Sequence, residues 1–132
     1  MKFRGLIQAC HFGPTLLVTS ISLGFALHYW PVLDAIAIAV SVLSGQLIVG
    51  WSNDLHDYQD DLSHKRTNKP LVSGLLSEKF LRQALFVTLP ISFAINLVGP
   101  LGIKGGALYL LGIAFGVLYN FCLLYTSPSP RD

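Results

Sequence analysis

The distribution of charge constrains this chain more than any other feature of its sequence. Only 12% of its 132 residues are charged and 52% are hydrophobic, whereas about a quarter of the residues in soluble domains are charged. The charges leave four uncharged runs, at 5–33, 35–53, 83–103 and 105–130. Each is close to or longer than the roughly 17 to 25 residues that a helix needs to cross a bilayer. The sequence therefore predicts a membrane protein.

The uncharged runs are predicted to be helices, because no water satisfies backbone groups in the bilayer core and the runs lack the alternation of barrel strands. We expect an all-α fold, a multi-span transmembrane helical bundle. Ser77 is expected to cap the third membrane helix, and Pro90 to interrupt it. The expected spans lie near 14–30, 33–51, 85–98 and 106–121.

Basic residues beside the spans predict an orientation, because cytoplasmic loops are enriched in Lys and Arg. Lys2 and Arg4 precede the first span, and five basic residues lie between the second and third spans. The opposite side has only Lys104. We therefore expect an integral protein of the bacterial cell membrane whose amino terminus and charged segment are cytoplasmic. The net charge of +2 gives no indication of nucleic-acid binding.

The segment 50–70, GWSNDLHDYQDDLSHKRTNKP, holds four of the seven acidic residues. On a helix of 3.6 residues per turn, its acidic face spans an arc of about 120°. Clustered carboxylates repel each other, so a cation is expected beside them. Oxygen ligands of this kind suit Mg²⁺, which proteins hold with one or two carboxylates while phosphates and water complete the shell. The residues of this face are Asn53, Asp54, Asp57, Asp60 and Asp61.

Three basic residues, Lys65, Arg66 and Lys69, follow the acidic face, and such side chains can clamp a phosphate group. Each could instead reflect only the enrichment of cations in cytoplasmic loops. The carboxylate face and these cations lie together at the cytoplasmic end of a helical bundle. This combination favours the binding of a diphosphate whose organic part lies in the membrane. His56 and His64 are expected to face solvent or pack at the interface rather than to bind metal.

The last residues, CLLYTSPSPRD, change abruptly from an apolar helix to a Ser/Pro-rich peptide. One codon assignment for them resembles the transposase adapter used to prepare sequencing libraries. We therefore predict that 122–132 is translated adapter sequence. The natural domain then comprises 1–121 and continues beyond Phe121.

These motifs resemble those of a known family. NDLHDYQDD matches the N-D-x-x-D-x-x-x-D motif of the UbiA superfamily of intramembrane prenyltransferases, and RTNKPLVSG is similar to its R-x-N-R-P-L-x-S-G continuation. The resemblance covers the chain through Phe121. It implies a bundle of about nine spans, four of them here, that uses Mg²⁺ to move a prenyl group from a prenyl diphosphate to an aromatic or lipid-like acceptor within the membrane.

The resemblance also assigns roles to residues. Asp54 and Asp57 would be catalytic, and with Asn53 and Asp61 they would hold the metal. Three cations would neutralise the diphosphate. One of them, Lys69, stands where the family often has arginine. Tyr119 and Asn120 match a family position at the end of the fourth helix and are candidates for weak substrate contact, although Tyr119 could instead be an aromatic residue of the membrane interface. The three cations are Lys65, Arg66 and Lys69.

The family's second aspartate motif has no counterpart in this sequence, so we expect the chain to be inactive by itself. Two alternatives remain. CDP-alcohol phosphatidyltransferases are also membrane enzymes with aspartates, but their D-G-x-x-A-R pattern does not occur here. The other is a small non-enzymatic membrane subunit whose charged cytoplasmic loop docks a soluble partner.

Overall fold

The computed structural model describes residues 2–126, and every regular element in this part is an α-helix. The predicted all-α class is confirmed. Of the predicted adapter-derived tail, residues as far as Thr126 continue the last helix, and 127–132 lie outside the described residues. The five helices are α1 (Lys2–Ala9), α2 (Phe12–Tyr29), α3 (Val32–Ser63), α4 (Glu78–Val98) and α5 (Gly102–Thr126).

Three helices, α3, α4 and α5, are each long and apolar enough to cross a membrane. A fourth candidate is the pair formed by α1 and α2, which are bent by 76° at the break between them. The described residues thus contain three or four candidate spans, in agreement with the multi-span bundle that the sequence predicts.

The central helix is α3, which packs against each of the other four. Its 32 residues measure about 48 Å, whereas the hydrocarbon core of a bilayer is about 30 Å thick. About 20 residues, from Val32 to Trp51, cover that thickness. The final turns of α3, which carry the acidic residues, therefore extend beyond the apolar span.

The predicted start of α4 is confirmed, but the predicted interruption at Pro90 is not. The Ser77 hydroxyl accepts a hydrogen bond from the backbone N–H of Phe80 at 3.3 Å, so it caps the helix as predicted. The helix then continues through Pro90 to Val98 without a break. The expectation of an interruption was wrong, because a single missing backbone donor is tolerated in membrane helices where neighbouring groups satisfy the freed carbonyl.

An apolar cluster closes the end of the bundle that carries the acidic residues. The segment 64–77 after α3 folds back onto the bundle and buries two of its leucines there. The backbone of Cys10 lies so close to Gly50 that a Cβ on this glycine would be 2.8 Å from the Cys10 carbonyl oxygen. The buried members of the cluster are Ala9, Cys10, Trp51, Leu71, Leu76 and Leu81.

Hydrogen bonds between helices join α5 to α3. The Tyr109 hydroxyl donates to the Val42 carbonyl at 2.7 Å, and the Asn120 amide donates to the Val49 carbonyl at 3.2 Å. Close packing and interhelical hydrogen bonds are the interactions that hold membrane helices together, because lipid offers apolar side chains no less favourable surroundings than protein does.

Replacement of Gly50 by alanine tests the close approach of α3 to the α1–α2 break. Because the new methyl group would meet backbone rather than a movable side chain, we expect Gly50→Ala to destabilise the protein by about 1 to 3 kcal/mol. The measurement is thermal unfolding in detergent micelles.

The matched control is Gly24→Ala, since a Cβ at Gly24 meets nothing within 4 Å. This variant should be neutral or more stable, because alanine is the better helix former by about 1 kcal/mol. Equal stability of the two variants would contradict the contact.

Candidate functional site

The chain reverses direction where α3 ends, and this reversal brings cations from the following segment to the acidic residues of α3. The backbone N–H of Arg66 donates to the Asp61 carbonyl at 2.9 Å, and that of Lys65 donates to the Leu62 carbonyl at 3.1 Å. These two bonds form a Schellman motif, in which the residue after the cap adopts a left-handed conformation. That residue is Lys65, with φ 52°. The turn sends the following residues back along α3.

Two buried carboxylates on α3 meet two cations from the returning segment. Asp54 and Asp61 are each only 2% exposed. Lys69 Nζ lies 2.8 Å from Asp54 Oδ1 and 3.8 Å from Asp61 Oδ2, so it bridges the two. Arg66 donates to Asp61 Oδ1 at 2.7 Å. This hydrogen bond raises the pKa of Arg66 above its ordinary value, so the guanidinium remains charged.

The rim of the site is more exposed. Asp60, 59% exposed, lies 3.3 Å from Arg66 and 3.3 Å from His64. The Asn53 amide donates to Asp57 Oδ2 at 3.2 Å, and both side chains are half-buried. The predicted acidic face therefore divides into a buried pair that binds cations and a more accessible remainder.

The structure adds a residue that the sequence did not indicate. His11 Nε2 lies 3.6 Å from Asp54 Oδ1. It reaches this position from the break between α1 and α2, where its own backbone is left-handed with φ 54°. No spacing rule connects residues so distant along the chain. Its only local signal is that histidine adopts this conformation more readily than most residues.

Not every predicted site residue joins the cluster. Lys65 is exposed at the turn. The Asn120 amide donates to the Val49 carbonyl and lies 3.5 Å from the Ser52 hydroxyl, while Tyr119 is 60% exposed. His56 stacks edge-on against the ring of Phe121, with the ring centres 4.7 Å apart.

The two oxygens of Asp54 differ in their surroundings. Oδ1 receives Lys69, whereas Oδ2 is buried and has no hydrogen-bond partner. Within residues 2–126 there is no group of three or more His, Cys, Asp or Glu side chains arranged to hold a metal ion. The donors nevertheless fit Mg²⁺, because that ion takes one or two carboxylates and completes its shell with phosphate and water.

The fold and the site together describe an integral membrane protein, an all-helical bundle with paired carboxylates and cations at one end. The family model described as the UbiA prenyltransferase family matches residues 12–130, and the chain belongs to that family. At family level it is a membrane prenyltransferase, and the family is generally metal-dependent. The match extends beyond Phe121 into the segment whose adapter origin stays a prediction.

Neither the search of curated proteins nor the search of solved structures found a match.

Loss of Lys69 tests the ion pair at the centre of the site. Because Asp54 is 2% exposed and Lys69 22%, we expect Lys69→Met to destabilise the protein by about 3 kcal/mol, the lower end for one partner of a buried pair. The exposed Lys79 on α4 supplies the control variant Lys79→Met, which should change stability little. Unfolding in detergent micelles measures both.

Measurement of Lys69→Met in an Asp54→Asn background isolates the contribution of this ion pair to stability. Without the buried charge, the cost of Lys69→Met should fall below about 1 kcal/mol, because contacting residues are not additive. An unchanged cost would show that Lys69 stabilises the protein through packing or through Asp61 rather than through its ion pair with Asp54.

Proposed function

We propose that this chain forms the amino-terminal part of a Mg²⁺-dependent prenyltransferase. It would move a prenyl group from a prenyl diphosphate to an aromatic or lipid-like acceptor in the membrane. The family match supports prenyl transfer in general. The observation that supports the metal and diphosphate site is Asp54, a buried carboxylate with one oxygen on Lys69 and the other without a partner.

The proposed metal site consists of Asn53, Asp54, Asp57 and Asp61. Asp54 and Asp57 are the proposed catalytic pair, since they lie one turn apart. Asp54 shares its cation, Lys69, with Asp61, and Asp57 accepts a hydrogen bond from the neutral Asn53 amide. Asp61 takes both Arg66 and Lys69, so its main role before substrate binds is to hold these cations. When bound, Mg²⁺ would neutralise charge on the diphosphate and so make it a better leaving group.

Arg66 and Lys69 are proposed to bind the diphosphate oxygens. Their carboxylate partners already hold them in place, so they lose little conformational freedom when a substrate arrives. The planar guanidinium of Arg66 matches two phosphate oxygens at once, whereas Lys69 acts as a point charge. Both cations would stabilise the charge that develops on the departing diphosphate.

Lys65 is proposed as the third diphosphate ligand on the basis of its backbone. A left-handed conformation costs a lysine roughly 1 to 2 kcal/mol, and glycine is the usual residue at this position of a Schellman motif. The chain has a long cationic side chain there, exposed at the turn and next to Arg66 in the sequence. Such local strain at a site supports a functional role for the side chain.

Substrate contact by Tyr119 and Asn120 is proposed from the motif alone. Asn120 is buried at the contact between α5 and α3, so it would act by placing the end of α5. The exposed ring of Tyr119 is available to an acceptor. The amino terminus and the acidic site are proposed to be cytoplasmic.

The segment after α3 does not have the form of a projecting docking loop. Leu71 and Leu76 are buried in the apolar cluster, and Arg66 and Lys69 bind α3. These contacts favour the enzyme over the docking subunit.

Substitution of the catalytic pair tests the proposal. In the intact protein, we expect Asp54→Ala and Asp57→Ala each to abolish Mg²⁺-dependent prenyl transfer, because the metal that would neutralise the leaving group loses a charged ligand. The 132 residues assayed alone should show no turnover, because the second aspartate motif expected of the family is not in them. Transfer from a labelled prenyl diphosphate to a panel of acceptors measures both.

Asp34 provides the control, since it lies on α3 in the first turn, at the other end from the site. Asp34→Asn should retain activity. Full activity of both alanine variants would rule out the proposed site.

A pair of variants separates strain from charge at Lys65. Lys65→Gly should raise stability by about 1 kcal/mol, because glycine relieves the left-handed conformation, and should raise KM for the prenyl diphosphate. Lys65→Met removes the charge and keeps the strain, so it should raise KM alone. Unfolding and steady-state kinetics distinguish the two. An unchanged KM in both would remove Lys65 from the site.

A further inference from the structure

The angle between the first two helices gives α1 a different orientation from that of α2. The 18 residues of α2 measure about 27 Å, close to the thickness of the hydrocarbon core. α1 turns away from α2 by 76°. If α2 crosses the membrane, α1 therefore runs nearly parallel to the membrane surface.

Contacts place α1 at the boundary of the hydrocarbon core. The Trp51 indole N–H donates to the Leu6 carbonyl at 3.0 Å, and Trp51 lies where α3 leaves its apolar span. A Cβ on Gly5 would be 2.9 Å from Leu76 Cβ, just before the cap of α4. α1 is thus level with the ends of both helices.

The face of α1 that points away from the bundle is apolar. Phe3 is 80% exposed and Ile7 is 46% exposed. At 100° per residue, these two lie about 160° from Gly5 and Ala9, which are buried against the rest of the protein. An aromatic and a branched aliphatic side chain on an otherwise uncovered face favour a surrounding that is not water.

A third face of α1 is polar. Arg4 and Gln8 are both exposed and lie about 100° from the apolar pair. A short helix with one apolar face and a basic residue at the edge of its polar face is suited to the headgroup region of a bilayer, and its charge favours anionic lipid.

We propose that α1 is an interfacial helix that lies on anionic membrane lipid at the same end of the bundle as the acidic site. Phe3 and Ile7 enter the boundary between headgroups and acyl chains, and Arg4 contacts lipid phosphate. This proposal is independent of the prenyltransferase chemistry.

The position of α1 bears on the site. α1 ends just before Cys10 and His11, and His11 lies 3.6 Å from Asp54. Lipid contact that fixes α1 would therefore also fix the break from which His11 reaches the buried carboxylate.

Spin-label depth measurements test the placement. Single cysteines replace Phe3, Ile7 or Gln8 in the full chain, with Cys10 and Cys122 changed to alanine, in vesicles of phosphatidylcholine and phosphatidylglycerol. We expect nitroxides at positions 3 and 7 to collide mainly with oxygen, at a depth of about 5 to 10 Å, and one at position 8 to collide mainly with a water-soluble nickel complex.

A label at Phe25, 68% exposed on α2, serves as the control within the membrane, and circular dichroism confirms the helical fold of each variant. Preferential nickel collision at 3 and 7 would place α1 in water, and protection from both reagents would place it under protein. Either result would overturn the proposal.

A second arm tests the lipid charge. The label at position 3 should become less accessible to the nickel complex when phosphatidylglycerol is added to phosphatidylcholine, and Arg4→Gln should remove this difference. Lys104→Gln, at the other end of the bundle, should preserve it. No effect of phosphatidylglycerol, or an effect that survives Arg4→Gln, would refute the contact with anionic lipid.

Discussion

The ion pair between Asp54 and Lys69 is the interaction on which the rest of this site depends. A carboxylate that is 2% exposed loses most of its hydration. Burial therefore raises the pKa of Asp54 above its ordinary value, and the hydrogen bond from Lys69 opposes this rise in part. Lys69 lies beyond the end of α3, so the chain has to reverse to bring it back. The Schellman turn at Lys65 provides the reversal, and the buried leucines at 71 and 76 hold the returning segment in place.

The same helix organises the membrane bundle and the site. α3 contacts every other helix, and its length carries the acidic residues past the end of the apolar span. Its glycines allow close approach, at Gly50 to the α1–α2 break and at Gly45 to the Tyr109 hydroxyl and the Ile113 side chain. The position of Asp54 is therefore set by helix packing about one to two and a half turns away as well as by its own ion pair.

Much of this arrangement could be predicted from the sequence, because it depends on local periodicity. Uncharged runs predict four spans, of which three match single helices and the fourth falls in the bent pair formed by α1 and α2. Helical spacing predicts that the carboxylates share one face. The cap at Ser77 was predictable because serine is among the residues preferred at a helix N-cap. The conformation of the chain after a helix ends could not be predicted from the sequence. The pairing of Arg66 with Asp61, and the approach of His11 to Asp54, depend on two left-handed residues that no periodic pattern identifies.

The central claim is that the unpartnered oxygen of Asp54 binds a divalent cation together with a diphosphate. Electron paramagnetic resonance of Mn²⁺ added to the chain with inorganic pyrophosphate tests it directly, because bound Mn²⁺ loses the signal of the free ion. Relative to Mn²⁺ and pyrophosphate without protein, we expect additional bound ion with the unmodified chain and with Asp34→Asn, and none with Asp54→Asn. Equal binding by the unmodified chain and Asp54→Asn, or no binding by either, would contradict it.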